Sequence, residues 1–451
     1  MRLRYIANAC FEITLANGAT LLTDPWIEGP CQQTWFNFPP VSEALRAEVY
    51  ARRPAAIYIS HLHHDHLHPQ TLAHFDRTTP ILIGKLNTPN LKGAMAKLGF
   101  TAIREIPFET RVAVAELGCE VVLFRDFHGN TQGDATLVEY DLDTSIYLYD
   151  ADGSTLFNAV DNTILPPDAA RIAAAYGAPD TAILPYASAS LYPMAMAEFD
   201  ADRKLAESRR IRERTAGNFA ANFAAIGARH VVPAGGEYVL GGPVAALSAY
   251  LPQPLGVELA ARLGDRAGAL RKLYPGDALD CASGGVTLDA RAAHRDFDDA
   301  ERAAYALTLA DEAPSYTQVE LPADLPFDWP RALKKCAGNF HKRRAAMALS
   351  PAIDIYLEVV SWPERAARFV FKLAMDSDAG AMADAVAGAP DAEDGRARLT
   401  YTIDEKLLFA LVTGLVSWNA MEASALMPIR RSPDIYEHDL HRSIVHFSLL
   451  S

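Results

Sequence analysis

The sequence is poor in the residues that build cross-linked, nucleic-acid-binding or membrane-spanning proteins. Its 451 residues include five cysteines, Cys10, Cys31, Cys119, Cys281 and Cys336, odd in number and widely separated. No two form a CxxC pair, so neither a zinc ribbon nor a cysteine-held iron–sulfur cluster is encoded, and the pattern predicts reduced thiols of a cytoplasmic protein. Positive charge is also scarce: 42 Lys+Arg against 56 Asp+Glu give a formal net charge of −14, with no basic run. Phosphate contacts dominate nucleic-acid affinity and need clustered cations, so nucleic acid is not expected as a partner. Long apolar runs are missing as well. The strongest, residues 407–418, is interrupted by Thr413 and Gly414 and falls short of the roughly 20 residues that a bilayer requires, so no membrane span is expected. Residues 1–8 include Asn8 and lack the apolar core of a signal peptide, which adds to the expectation of a cytoplasmic location.

Half of the residues are hydrophobic, and at roughly 150 residues per domain the length predicts two or three domains, each able to bury its own core. The first 60 residues alternate short apolar runs with turn signals, including Asn17-Gly18, and residues 55–59 form an apolar strand. Further strands are predicted at 81–83, 112–115, 120–124 and 136–139, with a helix at 89–97, a layered α/β pattern with helices outside. A long helix over 199–227 stops at Gly227 before the strand 230–233. Residues 246–313 read as a helical extension, and Pro314, Pro322, Pro326 and Pro330 mark a linker-like passage. The division is therefore a catalytic domain at 1–245, the extension at 246–313, and a small C-terminal α+β module at 314–451. That module has strands at 353–360, 368–374 and 399–403 and an apolar helix at 405–418.

The chemistry concentrates in Ser60-His61-Leu62-His63-His64-Asp65-His66-Leu67-His68, where five of the chain's 13 histidines follow directly on an apolar strand. In an extended turn His61 and His63 project to the same side, and Asp65 and His66 reach a second position close by. Imidazoles and carboxylates at this spacing suit zinc or iron, and a carboxylate between two ions can also take a proton from bound water. The segment is identified as the HxHxDH signature of the metallo-β-lactamase superfamily, carried by His61, His63, Asp65 and His66. The resemblance implies an αββα sandwich and two metal ions. It also implies His128 as a third histidine, Asp161 as the bridging carboxylate with Asp150 and Asp152 as competitors, and Asp24 as a supporting residue. His64 and His68 are left as supporting or solvated residues. Superfamily hydrolases complete the second ion with a histidine after a late strand, but here Val231-Val232-Pro233 continues as Ala234-Gly235-Gly236-Glu237. His230 comes too early, which leaves Glu237 or the C-terminal His438, His441 and His446 as substitutes. An open, carboxylate-rich second position suits iron and dioxygen.

A second resemblance points the same way. Residues 23–30 (Thr-Asp-Pro-Trp-Ile-Glu-Gly-Pro), residues 57–63 and Pro233-Ala234-Gly235-Gly236 are similar to the metallo-β-lactamase-like part of the CMP-N-acetylneuraminate hydroxylases. That family hydroxylates an N-acyl group with iron and O₂ and normally carries a Rieske cluster on CxH and CxxH pairs, which this sequence lacks. Di-iron hydroxylases of natural-product pathways are similar in using this fold for C–H oxidation. The leading expectation is a non-haem di-iron monooxygenase acting on a small molecule: His61, His63 and His128 on one iron, Asp65 and His66 on the other, and Asp161 bridging. O₂ is the oxidant, and electrons come from a separate reductase or ferredoxin. The rival is a zinc- or manganese-dependent hydrolase of an ester, lactone or phosphodiester. A third class, a silent metal-binding or lipid-carrier protein, requires empty sites. The C-terminal module faintly resembles a sterol-carrier domain; its apolar helix reads as core, and a groove there would favour an acyl or apolar substrate. The loop 186–192 is a further candidate for substrate contact.

Overall fold

The architecture is that of a computed structural model, which describes residues 1–86, 89–127, 143–187, 189–292, 297–321, 327–375, 381–384 and 397–450. Two mixed sheets face each other. The first has eight strands in the order Val286–Thr287, Ala278–Asp280, Arg2–Ala7, Cys10–Thr14, Thr20–Thr23, Ala56–Tyr58, Ile81–Gly84 and Ile103–Ile106. The second has six, in the order His230–Ala234, Thr181–Pro185, Thr155–Asn158, Thr144–Tyr149, Cys119–Arg125 and Val112–Val114.

Period-two alternation sorts each strand's side chains between the layers. Ala56 and Tyr58 point into the core between the sheets with Leu3, Phe11, Val121, Leu123, Ile146, Leu156 and Val232. Ile57 and Ile59 point outward, against Leu45, Val49, Leu91 and Met95 of the helices Glu43–Ala51 and Asn90–Lys97. On the second sheet Val122, Phe124 and Phe157 face outward to Ile172 of the helix Pro166–Tyr176 and to Phe219 and Phe223 of the helix Ala201–Ile226. The layers are helix, sheet, sheet, helix, the predicted αββα sandwich.

The long helix starts where Asp200 accepts the Arg203 backbone N–H at 2.8 Å and stops at the left-handed Gly227. The predicted helical extension is helical only in part. Its strand Ala278–Asp280 pairs antiparallel with Arg2–Ala7, so the first sheet draws on chain well beyond residue 245. Strands of two and three residues show too little alternation for a periodicity reading to find them. The strand expected at 136–139 lies outside the described residues.

The C-terminal part forms a five-stranded sheet in the order Ala381–Asp384, Ala367–Leu373, Asp354–Val360, Arg398–Asp404 and Ile429–Ser432, with a parallel central pair. The apolar run that reads as one helix over 405–418 is two helices. Glu405–Val412 ends before the left-handed Gly414, and Ser417 caps Trp418–Ser424 by accepting the Ala420 N–H at 3.1 Å. One core joins this module to the sandwich: Trp418, Met421, Leu357, Tyr401 and Phe340 pack in the same cluster as Trp26, Cys31, Trp35 and Tyr238. Among the described residues no helix is long and apolar enough to cross a membrane. All five cysteines are buried and free.

Trp418 is 2% exposed, and its indole N–H donates to the Phe447 carbonyl at 3.0 Å. Removing a buried indole leaves a cavity and an orphaned acceptor, so Trp418→Ala is expected to destabilise the protein by about 3–5 kcal/mol in denaturant unfolding. A loss below about 1 kcal/mol would contradict this packing.

Candidate metal centre

The candidate site lies where the strands of both sheets end. Thr20–Thr23 and Ala56–Tyr58 run parallel, and their carboxyl ends deliver Asp24 and the histidine segment. In the second sheet Thr155–Asn158, Thr181–Pro185 and His230–Ala234 also run parallel, and lead into Asp161, Tyr186 and the turn Gly235–Glu237. Carboxyl ends of parallel strands are where α/β folds present functional side chains on loops held by a rigid scaffold.

Hydrogen bonds fix the path of the histidine segment. Asp24 is fully buried, and its Oδ1 accepts the Ser60 N–H at 2.8 Å. Thr144 Oγ1 donates to the Ser60 carbonyl at 2.8 Å, which ties the segment to the opposite sheet. The N–H groups of His66 and Leu67 both donate to the His63 carbonyl, at 3.0 and 2.8 Å, and this turn folds His66 back toward His61. The His61 and His66 ring centroids are 4.1 Å apart.

The ligand atoms of His61, His66 and Asp161 all lie within 4.8 Å of one another, and so do those of His61, His63 and Asp143. His61 Nε2 is 2.9 Å from His63 Nδ1 and 3.3 Å from Asp143 Oδ1. His66 Nε2 is 3.1 Å from Asp161 Oδ2 and 3.3 Å from Asp65 Oδ2. The other ring nitrogens turn away from the cluster: His61 Nδ1 meets Ser60 Oγ at 2.8 Å and His66 Nδ1 meets Asp24 Oδ2 at 3.2 Å. Holding one ring nitrogen on a carboxylate or hydroxyl and leaving the other free toward a shared point is how metal-ligating imidazoles are oriented.

Electrostatics favour a cation at that point. Burial, reinforced by His66 and His63, drives the His61 pKa well below its ordinary value, so its ring stays neutral with a lone pair available. Burial also disfavours the charged form of His66, but Asp161, Asp65 and Asp24 together outweigh it and hold its pKa well above the usual range. Burial, with Asp161 and Asp126 adding to it, pushes Asp143 well up against the pull of His63. The buried oxygens Asp24 Oδ2 and Asp143 Oδ1 have no aligned hydrogen-bond donor among the described residues. Converging imidazoles and under-satisfied carboxylates fit metal ions, whose charge would offset the desolvation of this many acids.

The structure brings together His61, His63, Asp65, His66 and Asp161 of the residues named from sequence. Asp65 contacts His66 but belongs to neither three-residue grouping among the described residues. His128 lies outside the described residues. Asp150 and Asp152 do not replace Asp161: they hold the N-terminal amine, at 3.6 and 2.9 Å. Glu237 is turned elsewhere as well, its Oε1 accepting from Tyr186 OH at 2.9 Å and pairing with Lys272 Nζ. His441 pairs with Glu422 at 2.9 Å inside the C-terminal module. His64 is exposed, His230 stands at a strand start, and His68 caps the short helix Pro69–Leu72. Two residues escaped the sequence reading. Asp143 sits at the start of the strand Thr144–Tyr149, and Gln32 Nε2 donates to Asp65 Oδ1 at 3.2 Å from a buried position. Neither has a local motif; the placement of Asp143 next to Thr144, which binds the histidine segment, is the available signal.

Parts of the chain are similar to known proteins. Residues 2–156 match the family model described as β-lactamase superfamily domain. A Mycobacterium tuberculosis protein named as a Rieske 2Fe-2S iron–sulfur protein is 29% identical over 245 residues, covering 52% of this chain and 44% of that protein. The chain thus spans less than half the length of this relative. Cytidine monophosphate-N-acetylneuraminic acid hydroxylase of Danio rerio is 34% identical over 92 residues, covering 19% of this chain and 15% of the relative. Among solved structures, isothiocyanate hydrolase from Delia radicum gut bacteria aligns at a TM-score of 0.44 and 14% identity, over 62% of this chain and 99% of that one. CmlA, a diiron β-hydroxylase from Streptomyces venezuelae, aligns at 0.41 and 18% identity, over 62% and 53%. Residues 2–156, about a third of the chain, are thus similar to a β-lactamase superfamily domain.

Proposed function

We propose that the chain is a metal-dependent hydroxylase that uses O₂ on a small-molecule substrate, with two iron ions held by His61, His63, His66, Asp65, Asp143 and Asp161. The observation that carries this reading is the composition of the two overlapping ligand groupings, His61 with His66 and Asp161 and His61 with His63 and Asp143, which together offer three histidines and two carboxylates. Either grouping taken alone is the two-histidine, one-carboxylate set of non-haem Fe(II) oxygenases, whereas zinc hydrolases of this superfamily draw a further imidazole from the late strand. At that position here Glu237 is committed to Lys272 and Tyr186. The segment shared with a hydroxylase of cytidine monophosphate-N-acetylneuraminic acid supports the same class. Iron bound at these residues supplies the redox chemistry with O₂, and its electrons come from a separate reductase or ferredoxin.

The protein's own groups prepare the site. Ser60 and Asp24 orient the rings of His61 and His66 from behind. Gln32 sets the Asp65 carboxylate, and Tyr238 is buried and stacked on Trp35 at 3.7 Å, where burial, with the charges of Asp65 and Asp161 adding to it, raises its pKa. These groups keep the ligands from rearranging.

Metal analysis of protein produced with iron decides between the classes. Two irons per chain and O₂ uptake with reductant are expected. Tight occupancy by two zinc or manganese ions, no iron and turnover of an ester, lactone or phosphodiester under strict anaerobiosis would replace the proposal with a hydrolase.

Because His61 belongs to both groupings and His63 to one, the two substitutions are expected to differ. His61→Ala should lose both ions and His63→Ala one, by elemental analysis, while circular dichroism stays near wild type because the cluster lies on loops. Equal losses would show that the two groupings are not separate positions. Asp24→Ala removes the acceptor of the Ser60 N–H and the partner of His66, so a stability loss of about 1–3 kcal/mol should accompany weakened metal retention. Metal retention equal to wild type under chelator competition would count against this orienting role.

A further inference from the structure

The C-terminal module carries a surface of its own, apart from the metal centre. Its helix Trp329–Ala346 holds six Lys and Arg residues and no Asp or Glu, in a chain of net charge −14. Leu333, Cys336, Ala337 and Phe340 turn one face into the module's core. Arg331, Lys334, Lys335 and Lys342 are exposed on the other, as the helical period requires. None of these four, nor the half-buried Arg343, has an acidic partner among the described residues. The acids close to the helix are occupied. Asp328 caps it by accepting the Arg331 N–H at 3.1 Å, and Asp439, on the helix His438–Ile444 that packs alongside, pairs with Arg442 at 3.8 Å.

An apolar tip stands beside this cationic face. Leu415 and Leu450 are 62% and 76% exposed. Gly414 lets the two segments meet: a Cβ there would lie 2.5 Å from Leu450 Cδ1, and the Leu449 N–H donates to the Val412 carbonyl at 2.8 Å. Asn339 ties the tip to the helix, its Nδ2 donating to the Ser448 carbonyl at 2.7 Å. Residues three and four apart are neighbours on a helix surface, so Lys335, Lys342 and Arg343 border the segment that carries Leu450.

One exposed leucine needs no explanation, but two adjoining leucines edged by uncompensated cations form an amphipathic patch. Leucine and lysine are both under-represented where proteins bind proteins tightly, since interface anchors are aromatic or arginine side chains seated in pockets. At a bilayer surface the same residues are favourable: aliphatic groups enter the acyl boundary, and lysine stems hold their ammonium groups at headgroup level.

We propose that this face docks on an anionic lipid bilayer, with Leu415 and Leu450 entering the acyl boundary and Lys335, Lys342 and Arg343 on the headgroups. The contact is peripheral, since no described helix is long and apolar enough to span. It does not depend on the chemistry of the metal centre.

Co-sedimentation of the full chain with vesicles tests it, using phosphatidylcholine alone and phosphatidylcholine mixed with phosphatidylglycerol. The chain is expected to pellet with the mixed vesicles only, and far less when salt is raised to about 1 M, where the Debye length is about 3 Å. Lys335→Glu combined with Lys342→Glu should lower the partition at least about tenfold while circular dichroism stays at wild type. The native cysteines are all buried, so Leu415→Cys gives one reactive site for an environment-sensitive dye, whose emission should shift to the blue on mixed vesicles. The proposal is overturned if the wild type stays in solution with mixed vesicles, and binding to soluble polyglutamate in that case would make an acidic protein the occupant. It is equally overturned if the folded double variant pellets as wild type does, or if the dye emission does not move.

Discussion

The buried carboxylate of Asp24 is the contact on which the histidine segment depends. Its backbone N–H donates to the Tyr58 carbonyl at 2.9 Å, its Oδ1 takes the Ser60 N–H, and its Oδ2 stands 3.2 Å from His66 Nδ1. One residue thus joins the ends of two parallel strands, the main chain entering the histidines and the ring of His66. The backbone at Asp24 is left-handed, with φ of 38°, a conformation that non-glycine residues keep where the surroundings over-determine it. A buried carboxylate is destabilising by itself, and the positive charge on His66 offsets this in part, since burial still holds the Asp24 pKa above its ordinary value. His66 in turn leans on Asp161 and Asp65. The compensation ends at Asp143 and Asp161, where acids outnumber the positive charges that face them, and there a bound cation has a physical reason to be.

The fold and most of the candidate site are legible in the sequence because they are locally encoded. Alternation in residues 55–59 and 120–124 places each side chain on one face of a sheet, and the spacing of His61, His63, Asp65 and His66 needs only a strand end and one turn to converge. Asp161 is recognisable because it too follows a strand. Asp143 and Gln32 are not legible: an aspartate before a strand and a glutamine in a Pro-Cys-Gln-Gln loop look like ordinary turn residues. Their roles come from sheet-to-sheet packing that brings Thr144 onto Ser60 and the loop onto Asp65. The strands at 278–280 and 286–287 were hidden for a different reason, since elements this short carry almost no periodic signal and are fixed by their partner Arg2–Ala7.

The C-terminal module has a part in the site that its own sequence does not announce. It backs the loop that carries Gln32. Thr34 Oγ1 donates to the Ser424 carbonyl at 2.8 Å and Trp35 Nε1 to the Ala423 carbonyl at 2.9 Å. Gln33 Oε1 accepts from Ser315 Oγ at 2.9 Å and from the Tyr316 N–H at 3.0 Å. Gln32 and Gln33 are both left-handed, with φ of 45° and 69°, at a cost of about 1–3 kcal/mol each that such anchoring must overcome. The module's contact with the sandwich therefore reaches as far as the Asp65 carboxylate. Its apolar helix Glu405–Val412 belongs to the same core, with Leu407, Leu408 and Leu411 buried among the sheet residues, so the helix is spent on packing.

The turn after the late strand explains why a carboxylate there need not be a ligand. Gly235 lies against Asp161, Glu237 points to Lys272 and Tyr186, and Tyr238 stacks on Trp35, so successive residues serve three different neighbours. Gly235 is left-handed at φ of 77°, which lets the chain turn there without a Cβ crowding Asp161. For Glu237 to swing toward the cluster, Lys272 would lose its counter-charge and the Tyr186 hydroxyl its acceptor. Stranding one partner of a buried ion pair costs about 3–5 kcal/mol, and that cost holds Glu237 on Lys272. The residue at the late-strand position is thus held by its own ion pair with Lys272 and by the Tyr186 hydroxyl.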